Sequence, residues 1–267
     1  MSLSLFNLLL VQVTGNRLAQ RLSERIVATS QFFMGIGSGA GVNQSGEKAV
    51  IELLRRNYQA PYCIFDVGSN QGQYLNLLLR ILSSNSCTVH CFEPSYWTFN
   101  RLKENSPDLS QVKLNNLALG KEIGEMNLYY DKQGSGLASL SKRRLNHFNI
   151  EFEQSETVKI DTLDHYCFKN SIDRIHLLKI DVEGHELDVL AGASAMFEKK
   201  AINMVAFEFG GCNIDTRSFF QDFYYFFQRK NMYILRITPS GYFYPINSYR
   251  EIFEQFRTTN FVAINKG

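Results

Sequence analysis

The sequence lacks a large excess of either charge. Its 28 lysines and arginines against 26 aspartates and glutamates leave a net charge of +2, and charged residues make up 20% of the 267 positions. This balance excludes an acidic tail and a strongly basic surface of the kind that binds nucleic acid. A solvated loop explains the short basic cluster Lys142-Arg143-Arg144 at least as well as a binding patch does. We therefore expect no nucleic-acid partner.

Paired cysteines are also missing. The five cysteines are an odd number and show no Cys-x-x-Cys spacing. Two of them, Cys63 and Cys91, fall in predicted buried strands, where cysteine acts as a small hydrophobic residue. The pattern indicates a reducing compartment, and we expect a cytoplasmic protein.

The apolar run near the amino terminus is too short to span a bilayer. It extends from Leu3 to Val13, without a positive flank before it or a small-residue cleavage site after it. The sequence thus predicts neither a signal peptide nor a transmembrane segment. Two interpretations of the run stay open, packing against the body of the domain and lying on a membrane surface.

Two common phosphate-binding motifs are absent from the sequence. It contains no Gly-x-x-x-x-Gly-Lys-Ser/Thr, and its first glycine turn is not the Gly-x-Gly-x-x-Gly of a dinucleotide site. The turn that is present reads Ile64-Phe65-Asp66-Val67-Gly68-Ser69-Asn70-Gln71-Gly72. It predicts a buried strand, a glycine turn and a helix, the arrangement with which an α/β sheet brings backbone against a ligand.

A second acidic residue accompanies this turn. Glu93 ends the next predicted strand, where a carboxylate can accept two hydrogen bonds from a ribose diol. Asp66, at the start of the turn, would repel a pyrophosphate but suit an ammonium or a sulfonium group. S-adenosylmethionine is therefore the cofactor that fits the pair. The alternative is that Asp66 only caps a helix and Glu93 is a surface residue before Pro94.

Predicted strands and helices alternate from residue 61 onward. We expect residues 61–267 to form an α/β domain with a doubly wound sheet and the ligand at the strand carboxyl ends. The segments Tyr233–Thr238 and Phe261–Asn265 are predicted to pair antiparallel at the sheet edge. Residues 1–60 are predicted to form an N-terminal helical extension with a glycine-rich loop. The segment Glu186–Phe197 and the aromatic run Phe219–Phe227 each indicate a helix with an apolar face.

Four charged residues and a histidine fall within eight positions where another predicted buried strand ends. In a structural interpretation, Lys179 pairs with Asp181, while Glu183 and Glu186 favour a helix amino terminus. In a metal-site interpretation, Asp181, Glu183 and His185 offer ligands to Mg²⁺ or Mn²⁺. In an acid–base interpretation, His185 or a carboxylate takes a proton from a substrate hydroxyl. We favour His185 as the base because imidazole titrates nearest neutrality.

Several motifs together resemble one known family. They are Phe65 to Gly72, Phe92-Glu93-Pro94, Asn116-Leu117-Ala118-Leu119-Gly120, Thr162-Leu163-Asp164 and Leu178 to Glu186. They are similar to the signatures of the FkbM family of S-adenosylmethionine-dependent methyltransferases, most strongly over about residues 60–210. The resemblance implies a seven-stranded Rossmann-like sheet with an antiparallel edge strand.

The resemblance, together with the charges, gives each site residue an expected role. The methionine end of the cofactor is expected at the first glycine turn, the ribose at Glu93, and the adenine at Asn116 and Ala118. The expected cofactor-binding residues are Asp66, Gly68, Ser69, Asn70, Gly72, Glu93, Asn116, Ala118 and Asp181. The expected catalytic residues are Lys179, Asp181, Glu183 and His185.

The expected reaction is O-methylation of a hydroxyl on a sugar, a glycan or a polyketide-like small molecule. An N-methyltransferase is a weaker alternative, because the chain lacks the Asn/Asp-Pro-Pro-aromatic tetrapeptide typical of many such enzymes. A cofactor-binding module without activity is a further alternative. A divalent metal could bind but is not expected to be needed, and the sequence does not indicate an oligomeric state.

Two segments have the composition of loops that close over a ligand. They are the glycine-rich Gly35–Gly41 and the polar Gly134–Ser141. Closure would exclude water from the reaction. The alternative is that both are ordinary surface loops.

Overall fold

The computed structural model describes residues 11, 13–39, 46–83 and 86–266. Its strands are β1 Tyr62–Val67, β2 Cys87–Phe92, β3 Val112–Asn115, β4 Ala118–Leu119, β5 Gly124–Tyr130, β6 Gln154–Asp161, β7 Ile175–Ile180, β8 Ile202–Phe209, β9 Met232–Ile237, β10 Phe243–Ile246 and β11 Thr259–Asn265. Its α-helices are α1 Arg17–Phe33, α2 Glu47–Asn57, α3 Gln73–Ile81, α4 Tyr96–Asn105, α5 Leu163–Lys169, α6 Glu186–Ala191, α7 Ser194–Glu198, α8 Cys212–Thr216 and α9 Phe220–Arg229. Apart from Val11 and Val13, the apolar run Leu3–Val13 lies outside the described residues, as do Ala40 and Gly41 of the glycine-rich loop.

The main sheet has the strand order β10-β9-β11-β8-β7-β1-β2-β3. Strand β1 pairs in parallel with both β2 and β7, so the chain order reverses at β1. In open α/β sheets, ligands bind beyond the carboxyl ends of the strands at this switch point. The predicted doubly wound α/β fold is confirmed, and the switch point lies at the two turns that the sequence singled out.

The antiparallel strands lie at one side of this sheet. As predicted, β9 and β11 pair antiparallel, and β11 also runs antiparallel to β8. In the described chain the sheet has eight strands rather than the seven expected. The additional strand is β10, a hairpin partner of β9. Its Pro245 is accommodated because an edge strand needs no outward N–H donor.

The central strands are buried on both faces. Ile64 and Leu177 have no exposed surface and join one apolar cluster, while Phe65 and Leu178 are equally buried in a second cluster. Helix α9 covers the second cluster with buried phenylalanines, as its aromatic pattern predicted. Continuous apolar strands of this kind form the interior of a sheet with helices on both sides. The core therefore fixes the sheet edge at which the polar side chains gather.

Helices α6 and α7 occupy the segment that the sequence presents as one apolar-faced helix. They separate at Gly192, where a side chain would meet the Gly120 carbonyl oxygen at 2.0 Å. The carboxylate of Asp164 then accepts hydrogen bonds from the backbone N–H groups of Ala195 and Met196, at 2.7 and 3.0 Å. Asp164, one of the family-like motif residues, is therefore a cap for the start of α7.

A smaller sheet of order β4-β6-β5 stands beside the main one. The polar segment between β5 and β6 returns toward the main sheet and includes the predicted loop Gly134–Ser141. At the amino-terminal side, α2 packs Val50, Ile51 and Leu54 into the cluster that holds Ile64. Helix α2 thus belongs to the same core as the predicted domain, although it precedes residue 61.

Candidate active site

A cavity of about 300 Å³ lies at the carboxyl ends of the central strands. Its wall combines the two turns that follow β1 and β7 with strand ends and the segment between β5 and β6. The lining residues are Gly39, Val67, Gly68, Asn70, Phe92, Glu93, Pro94, Thr98, Ala118, Leu119, Leu128, Ser135, Gly136, Leu137, Ala138, Leu140, Asp181, Val182, Glu183, Glu208 and Thr258. Four of these are carboxylates and none is a lysine, arginine or histidine.

A second cavity of about 500 Å³ adjoins the first. Gly39, Gly68, Asn70 and Asp181 line both cavities, so the two form one continuous depression. Ser69 lines the second cavity, together with residues of α2 and α3. A ligand with two chemically different ends can therefore extend through both.

The turn after β1 presents mainly backbone to the cavities. Gly68 has a φ of 84°, and a side chain there would lie 1.8 Å from the carbonyl oxygen of Asp181. Asn70 also adopts a left-handed conformation, with a φ of 48°. Among the described residues, the buried Asn70 Oδ1 has no hydrogen-bond partner. Gly72 begins α3 in a left-handed conformation and lies outside both cavity walls.

Asp66 lies behind the cavity wall and faces Lys179. Its side chain is fully buried, with Oδ1 at 3.6 Å from the Lys179 Nζ. Burial raises the pKa of Asp66, and the charge of Lys179 opposes that rise. The predicted contact between Asp66 and the cofactor stays a prediction, since Asp66 lines neither cavity.

Lys179 is surrounded by carboxylates. Its Nζ lies 3.2 Å from Asp181, 3.6 Å from Asp66 and 3.7 Å from Glu47 of α2. Burial alone would lower the pKa of Lys179, but these carboxylates raise it well above the ordinary value. The lysine is thus a fixed cation that orients acidic side chains, as the sequence suggested for Asp181.

Glu93 is positioned at the end of β2 by backbone donors. Its Oε2 accepts a hydrogen bond from Asn70 N at 2.9 Å, and its Oε1 accepts one from Ser95 N at 3.0 Å. Burial raises the pKa of Glu93 to about 7 despite these two donors. Each carboxylate oxygen retains a free lone pair, so the group can still accept hydrogen bonds from a diol in the cavity.

The predicted adenine residues occupy different positions. Ala118 lines the cavity beside Leu119. Asn116 lies outside the wall, and its Nδ2 donates to the carbonyl oxygens of Glu93 and Pro94, both at 2.9 Å. Asn116 therefore fixes the backbone that follows β2.

The turn after β7 presents carboxylates. Asp181 and Glu183 both line the cavity. Glu183 has a φ of 53°, and its Oε2 lies 2.5 Å from Nη1 of Arg143. Burial and the charge of Asp181 raise the pKa of Glu183 to about 8, and Arg143 limits that rise. Arg143 is also 3.6 Å from Asp215, so two acids neutralise it.

Glu186 and His185 support this turn from behind. The buried Glu186 accepts hydrogen bonds from Gly184 N at 3.0 Å and Val182 N at 3.3 Å. His185 is bonded through Nδ1 to Asp188 Oδ2 at 2.7 Å and through Nε2 to Ser141 Oγ at 2.9 Å. Because both ring nitrogens are engaged and the ring lies outside the cavity wall, the geometry favours a positioning role for His185. Its predicted role as general base stays untested.

Glu208, near the end of β8, is a site residue that the sequence analysis did not identify. Its side chain lines the cavity, and within the described chain it has no hydrogen-bond or ion-pair partner. Burial and the charges of Asp181 and Glu183 raise the pKa of Glu208 well above its ordinary value. Its position in the sequence could have identified it, because Glu208 stands near the end of an apolar strand, as Asp66, Glu93 and Asp181 do.

Both predicted cover segments reach the cavity. Residues 135–138 and Leu140 form part of the wall, and Ser139 Oγ donates to the Glu183 carbonyl oxygen at 2.8 Å. Gly39 lines the wall, and Gly37 N donates to the carbonyl oxygen of Thr258 at 2.9 Å. These contacts place both segments over the site, while their closure on a ligand stays a prediction.

The described ranges contain no group of three or more histidine, cysteine, aspartate or glutamate side chains that could hold a metal ion. No helix within them has both the length and the apolar composition needed to cross a membrane. All five cysteines are free thiols.

The carboxylates give the site a specific chemical capacity. It can hold a positively charged group beside Asp181, Glu183 and Glu208, and a diol at Glu93. A free carboxylate with a raised pKa can accept a proton at neutral pH. The acidic wall is unfavourable for a phosphate.

Comparison with known proteins identifies the family. The sequence matches the methyltransferase FkbM domain over residues 66–235, which is more than half of the chain. It is similar to hexuronic acid methyltransferase AglP of Haloferax volcanii, with 29% identity over 163 residues that cover 61% of this chain and 62% of the relative. It is also similar to 2-O-methyltransferase NoeI of Sinorhizobium fredii, with 26% identity over 146 residues that cover 51% of this chain and 59% of the relative.

The chain thus spans about three-fifths of the length of these two relatives. The crystal structure of an FkbM methyltransferase from Methylobacillus flagellatus is 16% identical, covers 77% of this chain and 44% of its own, and gives a TM-score of 0.46. The domain match confirms the resemblance seen in the motifs. The chain belongs to the methyltransferase FkbM domain family.

Proposed function

We propose that the protein is an S-adenosylmethionine-dependent methyltransferase that methylates a hydroxyl oxygen of a sugar. The observation that carries this proposal is a cavity with four carboxylates and no basic side chain on its wall. Such a wall attracts a sulfonium and repels a pyrophosphate. Family membership supports methyl transfer, and the names of two relatives, a hexuronic acid methyltransferase and a 2-O-methyltransferase, support a sugar hydroxyl as the acceptor.

The residues of the two cavities fit this cofactor. Glu93 would accept hydrogen bonds from the ribose hydroxyls, and Ala118 would border the adenine. Asn70 Oδ1, buried without a partner among the described residues, offers an acceptor for the ammonium group of the methionine end. Arg80, which lines the second cavity, is available for its carboxylate. When bound, the cofactor supplies a methyl group on a positively charged sulfur.

Carboxylates of this chain would perform the proton chemistry. Asp181 is held by Lys179, and Glu183 is held by Arg143, whereas Glu208 lines the same wall and forms no ion pair in contact within the described chain, although the charge of Lys179 lowers its pKa. We assign the ionised form of Glu208, which a positive charge in the cavity would favour, as the general base that removes the acceptor hydroxyl proton. The acceptor oxygen would bond to the methyl carbon as the sulfur–methyl bond breaks, its electron pair going to the sulfur, and Glu208 would hold the proton on a carboxylate oxygen until it is released to solvent.

The wall also constrains the acceptor. A uronic acid in the first cavity would bring its own carboxylate beside Asp181, Glu183 and Glu208. Arg80 lines only the second cavity, and the nearby cations Lys179 and Arg143 are already neutralised by acids. The residues outside the described ranges add no ionisable side chain that could offset this charge. We therefore infer a neutral or amino-bearing sugar as the acceptor, in contrast to the uronic acid named for the Haloferax volcanii relative.

Transfer of a labelled methyl group tests this function. Purified protein is incubated with methyl-labelled cofactor and three matched sugars, one neutral, one with an amine and one with a carboxylate. We expect label on the neutral or amino sugar at a rate at least about tenfold above that of the uronic acid. Preferred labelling of the uronic acid would contradict the acceptor class. Absence of transfer to sugar and glycan fractions, with label on nucleic acid, would contradict the function itself.

A further inference from the structure

Helix α1 is the part of the described chain least covered by the rest of the protein. None of its 17 residues is buried. Near its carboxyl end it is tied to the body through Gln31, which donates to Gln255 Oε1 at 2.6 Å and accepts from Arg257 Nη1 at 2.7 Å. At about 1.5 Å per residue the helix is roughly 25 Å long. It therefore presents several turns of uncovered surface.

That surface is divided into distinct faces. At 100° per residue, Leu18, Leu22, Ile26 and Phe33 project on one side, and their side chains are 57–78% exposed. Arg17, Arg21 and Arg25 repeat every fourth residue and form a stripe beside the apolar face. The opposite side carries the polar Gln20, Ser23, Glu24 and Gln31, with Val27 as its one large apolar side chain. An amphipathic helix with a stripe of arginines beside its apolar face is suited to bind a surface that is both apolar and negatively charged.

The charge of the neighbouring sequence favours the same partner. Residues 1–34 contain three arginines and one glutamate, a net side-chain charge of +2, and residues 1–16 contain no charged side chain. A second copy of α1 would meet the three arginines with three more arginines and a single acid, Glu24. Anionic lipid headgroups would neutralise all three arginines while the acyl chains receive the apolar side chains.

We propose that α1 is a membrane-surface anchor. Arg17, Arg21 and Arg25 bind anionic lipid headgroups, and the apolar face inserts below them in the plane of the bilayer. This inference does not depend on the proposed methyltransferase activity. Five residues separate Phe33 from Gly39 of the cavity wall, so at most about 20 Å of chain separates the anchor from the site.

Vesicle sedimentation of the full chain tests this proposal. We expect the protein to sediment with phosphatidylcholine vesicles that contain phosphatidylserine and to stay in solution with phosphatidylcholine alone. The triple variant R17Q/R21Q/R25Q should bind the anionic vesicles on the order of a hundredfold more weakly. High salt should weaken wild-type binding, because it screens charges at the vesicle surface.

The control variant also removes three positive charges, but from residues outside α1. R55Q/R56Q/K103Q changes three exposed basic residues outside α1 and should sediment like the wild type. Since the substituted side chains are exposed in both triple variants, both should unfold close to the wild-type temperature. Wild-type binding that is equal on neutral and anionic vesicles, or equal loss in both triple variants, would overturn the proposal. A dimer in light scattering that L18S/L22S/I26S abolishes, without vesicle binding, would make a second copy the partner and would also overturn it.

Discussion

The turns after β1 and β7 share a backbone plan but present different groups to the cavity. Each follows a buried parallel strand with an aspartate at or near its end, Asp66 within β1 and Asp181 directly after β7. Three residues past each strand stands a non-glycine residue in the left-handed region, Asn70 with a φ of 48° and Glu183 with a φ of 53°. Yet Asp66 is fully buried against Lys179, whereas the side chain of Asp181 is 38% exposed and lines the cavity.

This difference shows how one local pattern serves two purposes. The first turn shapes the cavity with backbone and glycine, because its acid is used to hold Lys179. The second turn supplies side-chain charge, because Glu186 holds its backbone from behind and leaves Asp181 and Glu183 at the wall. The exposure of the acid, and not its place near a strand end, therefore decides whether it is available to a ligand.

The largest effect is expected at Glu208 of β8. Its side chain lines the same cavity as Asp181 and Glu183 of the second turn and forms no ion pair in contact within the described chain. E208Q keeps the shape of the side chain but cannot accept the acceptor proton. Turnover should fall roughly 10²–10⁴-fold, the usual contribution of a general base. The affinity for S-adenosylhomocysteine should change much less. E125Q, on an exposed position of β5, is the matched control, and an E208Q rate within threefold of wild type would reject the assignment.

The next effect concerns the shape of the first turn. In G68A, the new methyl group would lie 1.8 Å from the Asp181 carbonyl oxygen, at a φ of 84°. We expect a loss of roughly 3 kcal/mol in the free energy of unfolding, measured in urea. G124A is the control, because nothing lies within 4 Å of its added atom, and its change should stay within about 0.5 kcal/mol. An unfolding midpoint of G68A equal to that of the wild type would show that the two turns are not packed together as described.

Glu93 should give cofactor binding a pH dependence. Its pKa is raised to about 7 by burial, so the free carboxyl is partly protonated near neutrality. Ribose hydroxyls stabilise the carboxylate, so binding lowers this pKa and releases a proton. Affinity for S-adenosylhomocysteine should therefore rise with pH up to about 7 and then level off. E93Q should bind about tenfold more weakly at pH 8 and lose this dependence; an unchanged pH profile in E93Q would exclude the role.

The smallest effect is expected at His185. The base hypothesis from the sequence predicts a loss of a hundredfold or more in H185A. The structure, with both ring nitrogens bonded to Ser141 and Asp188, predicts less than about tenfold, without a change in the pH–rate profile. A hundredfold loss, with removal of one inflection from the pH–rate profile, would return the base role to His185.

The sequence predicted the parts of the molecule that depend on local pattern. Strand ends at Asp66, Glu93 and Asp181 follow from apolar runs and glycine turns, and the antiparallel pair of β9 and β11 was also identified. The edge strand β10 was missed because its four residues carry a proline and little apolar periodicity. The interruption at Gly192 was missed because it depends on the approach of Gly120, a contact far away in the chain.

The sequence could identify only those site residues that lie within one short motif of the chain. Asp181 and Glu183 line the cavity as expected. Glu208, Arg143 and Glu47 reach the site from other elements, so no short motif contains them. The burial of Asp66 depends on Lys179, which only the pairing of β1 with β7 brings beside it.

A calorimetric titration tests the central claim, that this acidic cavity holds an S-adenosyl cofactor and not a phosphate-bearing one. The wild-type protein is titrated with S-adenosylhomocysteine and, separately, with NAD⁺. We predict saturable binding of one S-adenosylhomocysteine per chain, weakened in E93Q, and no heat of binding for NAD⁺. Saturable binding of NAD⁺ without a response to S-adenosylhomocysteine would contradict the account.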